Sequence, residues 1–167
     1  MAISEPGWKD GVPSRAGHPC RHGLVDRILC RIFPRRDIWK GDELYMRRFY
    51  LVPPGGRTQV FLHHILRDDD DRALHDHPWA FVSIILWGSY TEILQEGLRR
   101  VASFGDVLRN PATHAHRVIV NRPVWSLVVA GSAVRVWGFH DSHKGWTDWR
   151  TYLGIPDALD WPEDVAR

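Results

Sequence analysis

The sequence predicts an all-β domain, an antiparallel sandwich or barrel, and three observations predict it. From residue 43 onward, short runs of β-branched and aromatic residues recur, cut by turn residues about every ten positions. The turns are strongly marked, as at Pro53-Pro54-Gly55-Gly56 and Asn121-Arg122-Pro123. A chain of 167 residues, 44% hydrophobic and 25% charged, is long enough to bury one core without staples, and it carries no internal repeat.

In chain order, GLVDRILCRIF at 23–33 is a helical candidate, because Leu24, Ile28 and Ile32 recur on one helical face. Strands are expected at 43–52 and 58–66, followed by the polar break RDDDDR. Residues 80–87 and 89–94 flank Gly88, and Gln95-Glu96-Gly97 turns into 98–102. Residues 114–120 and 124–130 follow, and Gly131-Ser132 reads as a tight hairpin into 133–139. The nine tryptophans read as core, or as clasps that hold the terminal segments to the barrel.

Composition narrows the function. The formal charge is +2, and the arginines fall in scattered pairs such as Arg35-Arg36, Arg47-Arg48 and Arg99-Arg100, so no nucleic-acid footprint forms. The apolar runs are too short to span a membrane, and the N-terminus lacks the features of a signal peptide. Cys20 and Cys30 do not make a disulfide framework; they read as plain thiols, with a single bridge as the alternative. A cytoplasmic protein acting on a small molecule, with no nucleic-acid or membrane partner, is the expectation.

The chemistry concentrates in histidines. On a strand, residues i and i+2 project together, and Pro78 favours extended backbone at His77. His75 and His77 in LHDHPW therefore present two imidazoles side by side, a donor set suited to Zn, Fe, Cu or Ni. The stretch GDVLRNPATHAHRVIV offers His114 and His116 for a third ligand.

Together the two stretches resemble the motifs of the cupin family. The first family motif runs Gly, His-x-His, three or four residues, Glu, six residues, Gly, and His75, His77 and the closing Gly88 match it. The second runs Gly, five residues, Pro-x-Gly, two residues, His. Gly105, Pro111 and His116 match it, with Thr113 in place of the second glycine. The distal stretch RVWGFHDSHKGWTDWRTYL also looks like a group of small bacterial and phage cupins.

The resemblance implies a cupin double-stranded β-helix, or jelly-roll, barrel over 43–153. It implies an N-terminal arm (1–42) whose helix packs on the barrel, and a C-terminal tail (154–167). It also implies one divalent transition metal on His75, His77 and His116, with Fe(II) foremost and Zn, Ni or Mn as alternatives. A homodimer through edge strands is the assembly it suggests. The family's usual glutamate position is Phe81, which leaves three neutral histidines, as in cysteine dioxygenase-like cupins, and an apolar wall toward substrate. A non-haem Fe(II) oxygenase or oxidoreductase acting on a small anionic molecule is the leading expectation. A metal-dependent isomerase, lyase or hydrolase and a non-catalytic small-molecule-binding cupin are the alternatives.

Further residues have sharp and plain readings. His114 is a fourth ligand, a donor behind the ligands or a rim residue in contact with substrate. Arg135 anchors a substrate carboxylate or pairs with an acid such as Glu92. Glu92 and Tyr90 are acid/base candidates at the mouth, or lie on an exposed hairpin face. Of His63 and His64, one faces inward and one outward. Asp68 to Asp71 form a solvated turn balanced by Arg67 and Arg72, without the spacing of a calcium loop.

Overall fold

A computed structural model describes residues 23–40, 42–69, 73–142 and 144–154, and the backbone of two short strands nearer the N-terminus. Cys20, Asp70, Asp71, Arg72, Trp161, the side chain of Trp8 and the tail from residue 155 lie outside the described residues. The elements in order are β1 (Trp8–Lys9), β2 (Val12–Pro13), α1 (Leu24–Ile32), β3 (Arg35–Lys40), β4 (Glu43–Tyr50), β5 (Gln59–Ile65) and β6 (Leu74–His75). Then come β7 (Phe81–Leu94), β8 (Arg99–Ser103), β9 (Val107–Asn110), β10 (His116–Ala130), β11 (Gly138–Asp141), β12 (Gly145–Asp148) and α2 (Trp149–Leu153). No helix among the described residues is long and apolar enough to cross a membrane.

The fold is all-β and antiparallel, a double-stranded β-helix built around the long pair β7 and β10. The second half of β10 pairs with β5, which continues through β4 to β3, and its first residue pairs with β6, which leads to β11 and β12. β8 and β9 line the far edge of β7. The expected strand pairs 80–87/89–94 and 114–120/124–130 are each one continuous strand, bent where they cross. Gly88 makes the bend: its φ is +79°, and a Cβ there would stand 2.0 Å from the Pro123 carbonyl oxygen.

Alternation along the strands fills the barrel. Met46, Ile65, Ile85, Tyr90, Ala102, Leu108, Val118 and Val124 form one buried cluster; Tyr50, Phe61, Val128 and Ala130 form a second, with Trp79 and Phe81 packed against it.

Three sequence expectations change. The sheet begins at Arg35, because β3 pairs with β4 through Asp37↔Arg47 and its neighbours. RRDIWK has no apolar alternation to announce a strand. Residues 131–137 cross irregularly to β11 in place of the expected hairpin strand, and Val134 is 74% exposed. Helix α1 buries Asp26, while Leu24, Ile28 and Ile32 are 66%, 47% and 55% exposed. An ion pair decides that orientation: Arg47 Nη1 donates to Asp26 at 2.8 Å, both side chains being buried.

Two aromatic stacks, Trp137 on Trp149 and Phe139 on Tyr152, clasp α2 to β11. Cys30 is disulfide-bonded, not a plain thiol.

Candidate metal centre

β6 places His75 directly opposite His116 on β10, and His77 follows after the strand ends. The three imidazoles form a near-regular triangle, with ring centres 4.9 Å (His75–His116), 5.2 Å (His75–His77) and 5.1 Å (His77–His116) apart. One nitrogen from each lies within 4.8 Å of the others, and His77 Nε2 is 2.9 Å from His116 Nε2.

Carboxylates aim two of the rings. His116 Nδ1 lies 2.8 Å from Glu92 Oε1, and His75 Nδ1 lies 3.6 Å from Asp69 Oδ2. An ionised carboxylate only accepts, so the Nδ1 of His116 carries the proton and its Nε2 lone pair faces the centre.

Glu92 is fully buried. Burial alone would raise its pKa, but the facing rings of His114 and His116 and the Arg100 guanidinium hold it well below the usual carboxylate range. Burial likewise pushes Asp69 up, and His75, Lys40 and hydrogen bonds from Tyr45 and the Val118 amide outweigh it. Burial lowers His75 to about 4, with the charges of His116 and Lys40 opposing the help of Asp69; it lowers His77 well below its ordinary value. Both rings are therefore neutral near pH 7, as ligation requires.

The donor set fits a transition-metal ion. Nitrogens ~2.1 Å from a common ion sit ~3 Å from each other, close to the 2.9 Å between His77 and His116. Phe81 stands edge-on to His77 at 4.7 Å, so an apolar ring borders the cluster at the family's glutamate position.

The other sequence candidates separate. His114 Nε2 is 3.2 Å from Arg100 Nη2 and 3.8 Å from Glu92 Oε2. An arginine only donates, so that nitrogen accepts from it; the His114 ring also stands 5.0 Å from His116, and Glu92, His114 and His116 form a second group of donor atoms close enough to hold an ion. Glu92 and Tyr90 do not lie on an exposed face. Glu92 bonds Arg100 and His116, and Tyr90 sits in the apolar core, its phenol pKa raised by burial and by the Glu92 charge. Arg135 pairs with Asp76 at 2.6 Å, not with Glu92; its Nη1 also reaches the Ala112 carbonyl, and its guanidinium lies over the Trp146 ring. Asp68 and Asp69 are not a plain solvated turn: they accept from the Val120 and Val118 amides, and Arg67 pairs with Glu43.

Four supporting residues escaped sequence reasoning. Asp76, between the two ligand histidines, is fully buried and accepts from the Gly138 amide (2.8 Å), Arg135, His140 (3.0 Å) and Trp146 (3.0 Å). It locks the His-Asp-His segment to β11 and β12. Its position between the pair was the available signal. Asp69 was hidden in an acidic run, and Arg48 and Arg100 in arginine doublets whose facing cannot be read from spacing.

No protein-family profile and no curated protein matches this sequence. Solved structures do match. Polyketide cyclase RemF from Streptomyces resistomycificus aligns with a TM-score of 0.55 at 15% identity, over 75% of this chain and 90% of its own. Fe(II) HppE aligns with a TM-score of 0.51 at 14% identity, over 60% of this chain and 57% of its own length. An RmlC-like cupin from Shewanella frigidimarina aligns at 0.48 and 16% identity, over 63% and 88%. At such identities the likeness is one of fold. The chain is a cupin-fold protein, a double-stranded β-helix with a three-histidine cluster in its barrel.

Proposed function

We propose that the chain is a metal-dependent enzyme, a non-haem Fe(II) oxidoreductase acting on a small anionic molecule. One observation carries the reading: donor nitrogens of His75, His77 and His116 converge, and Phe81 stands beside them at the position of the cupin motif's glutamate. A divalent ion held only by neutral rings keeps its full charge and open positions, with which it binds and polarises reactants. Glu92 and Asp69 orient the rings. Phe81 excludes water on one side. Arg100 neutralises Glu92, so that carboxylate adds no net charge at the centre.

The same reading has no nucleic-acid or membrane partner, and takes a cytoplasmic homodimer as the working assembly. The disulfide at Cys30 pulls against a reducing compartment.

Elemental analysis of protein purified without oxygen tests the proposal. Wild type should carry iron at close to one ion per chain, and His75→Ala, His77→Ala and His116→Ala should each lose most of it. Nitric oxide added to the iron-loaded protein should give the high-spin iron–nitrosyl EPR signal. Full occupancy in all three variants ends the metal reading. A redox-silent zinc site moves it to isomerase, lyase or hydrolase chemistry, and a filled site without the nitrosyl signal moves it to a binding module.

A further inference from the structure

A row of polar side chains crosses the inner face of the sheet beside the metal centre. In the backbone register Arg36 faces Arg48, Arg48 faces His63 and His63 faces Ser126, so all four share one side. That side is the barrel interior: Met46 and Tyr50 on β4, Phe61 and Ile65 on β5, and Val124 and Val128 on β10 lie on it and build the two core clusters.

Arg48 Nε donates to His63 Nε2 at 3.0 Å, so the neutral His63 keeps its proton on Nδ1. The guanidinium carbon stands 4.8 Å from the Phe61 ring centre, and the Tyr50 side chain takes up a further hydrogen bond. A guanidinium offers five N–H donors. Among the described residues no carboxylate meets any of those on Arg48. Burial, with the like charge of Arg36 in the next strand, disfavours the cation, as expected of a charge with no counter-ion among the described residues.

An aromatic cluster links this cation to His77. Phe61 packs on Trp79 at 6.2 Å, and Phe81 belongs to the same cluster and touches His77. Arg48, His63, His77 and Phe81 face inward yet each is partly open to solvent, so this end of the barrel is accessible.

We propose that Arg48, steadied by His63, grips the carboxylate of a small organic acid whose other end reaches the three-histidine centre, with Phe61, Trp79 and Phe81 as its apolar wall. One guanidinium charge matches a monoanion, and its planar fork matches a carboxylate. Only the far end of that ligand rests on the metal reading; the carboxylate grip does not.

Propionate is the probe and propionamide its uncharged control, titrated by ligand-observed NMR into zinc-loaded and metal-free protein. Propionate should bind wild type in both forms, propionamide should not, and Arg48→Met should weaken propionate about tenfold or more. Wild-type affinity in Arg48→Met, or no propionate binding to wild type, overturns the proposal. If Arg48→Met does not fold, Arg48→Lys replaces it: the charge stays and the fork is lost, so a several-fold loss is expected, and unchanged affinity overturns the grip. Failure of wild type to hold any metal sinks the metal reading and leaves the metal-free titration as the test of Arg48.

Discussion

Arg47 and Arg48 are neighbours on β4, and His63 and His64 are neighbours on β5, yet the two faces they serve are opposites. On the outer face the row runs Asp37, Arg47, His64, Trp125. Arg47 reaches Asp37 and Asp26, each at 2.8 Å, and His64 stands 3.0 Å from Asp26 with its ring stacked 4.1 Å from Trp125. Two carboxylates satisfy one guanidinium and one imidazole, and helix α1 is pinned there. On the inner face the same residue types, Arg48 and His63, have no acid between them. The supply of carboxylates, not the arginine or the histidine, separates a sealed joint from a receptive surface.

The largest expected difference is in stability. Arg47→Met takes the shared guanidinium from two buried carboxylates, leaving Asp26 only His64 and Asp37 only Arg35 among the described residues, and should cost about 3–5 kcal/mol. Arg48→Met leaves only the His63 nitrogen and the Tyr50 hydroxyl without a donor, a loss of about 1 kcal/mol, offset by relief of a buried cation. Urea denaturation at pH 7 measures both. Equal losses in the two variants would break the comparison.

The three-histidine cluster combines both arrangements, since two of its rings are backed by acids while their other nitrogens converge in front. Glu92→Gln removes the charge that orients His116, leaving one neutral amide oxygen to serve both His116 and Arg100, and leaves Arg100 without its carboxylate. Metal affinity should fall about 10–100-fold, the usual cost of losing such a partner. Competition between the protein and a chromophoric chelator for Zn(II) reads this directly. An unchanged affinity means that strand pairing alone aims the ring.

How much of this could be read in advance follows the same division. His75, His77 and His116 were legible because period-two spacing and the flanking Gly88, Gly105 and Pro111 form a pattern that few other chemistries need. The β-strands were legible wherever one face is apolar. Arg48 was not, because the doublets Arg47-Arg48 and His63-His64 place identical residues on both faces, and only tertiary packing says which face is inside. Helix α1 misled for a related reason: its apolar stripe has the right period, but Asp26 is the residue buried. Arg135 drew attention because it interrupts apolar residues, but 131–137 is not a strand, so alternation had no meaning there.

Acid titration sharpens the contrast, since the two faces should fail at different pH. His63 has a folded pKa well below 6.5, through burial and the Arg48 charge. The unfolded chain therefore takes the proton first. Stability is complete above the ordinary histidine value and falls below it, by up to about 1.4 kcal/mol per pH unit for that one group. Asp26 has a folded pKa below 3.8; burial pushes it up, and His64 and Arg47 more than reverse this. Its contribution is complete above 3.8 and is lost only as the pH falls through the folded value. Urea midpoints of metal-free protein at pH 7, 6 and 5 should fall less steeply in His63→Phe than in wild type, while Asp26→Asn, less stable throughout, keeps the wild-type slope. The same slope in wild type and His63→Phe would contradict the assignment of His63 as a buried neutral ring.

The smallest change is the most direct test of what makes the inner face receptive. Phe81 borders His77 at 4.7 Å and His116 at 6.5 Å, and it packs on the cluster beneath Arg48. Phe81→Glu would bring close to the Arg48–His63 row the one ingredient that row lacks among the described residues and the outer row has. A carboxylate there can compete for the metal's open positions and for the Arg48 guanidinium, while the three histidines are untouched. Iron content should therefore be retained, the nitrosyl EPR signal should weaken, and propionate should bind about three- to tenfold less tightly through loss of net positive charge. Phe81→Leu, which restores an apolar wall without the acid, should return both readouts toward wild type. If Phe81→Glu binds nitric oxide and propionate as wild type does, the missing carboxylate is not what keeps this face open. The difference between the two faces would then lie in shape rather than in charge.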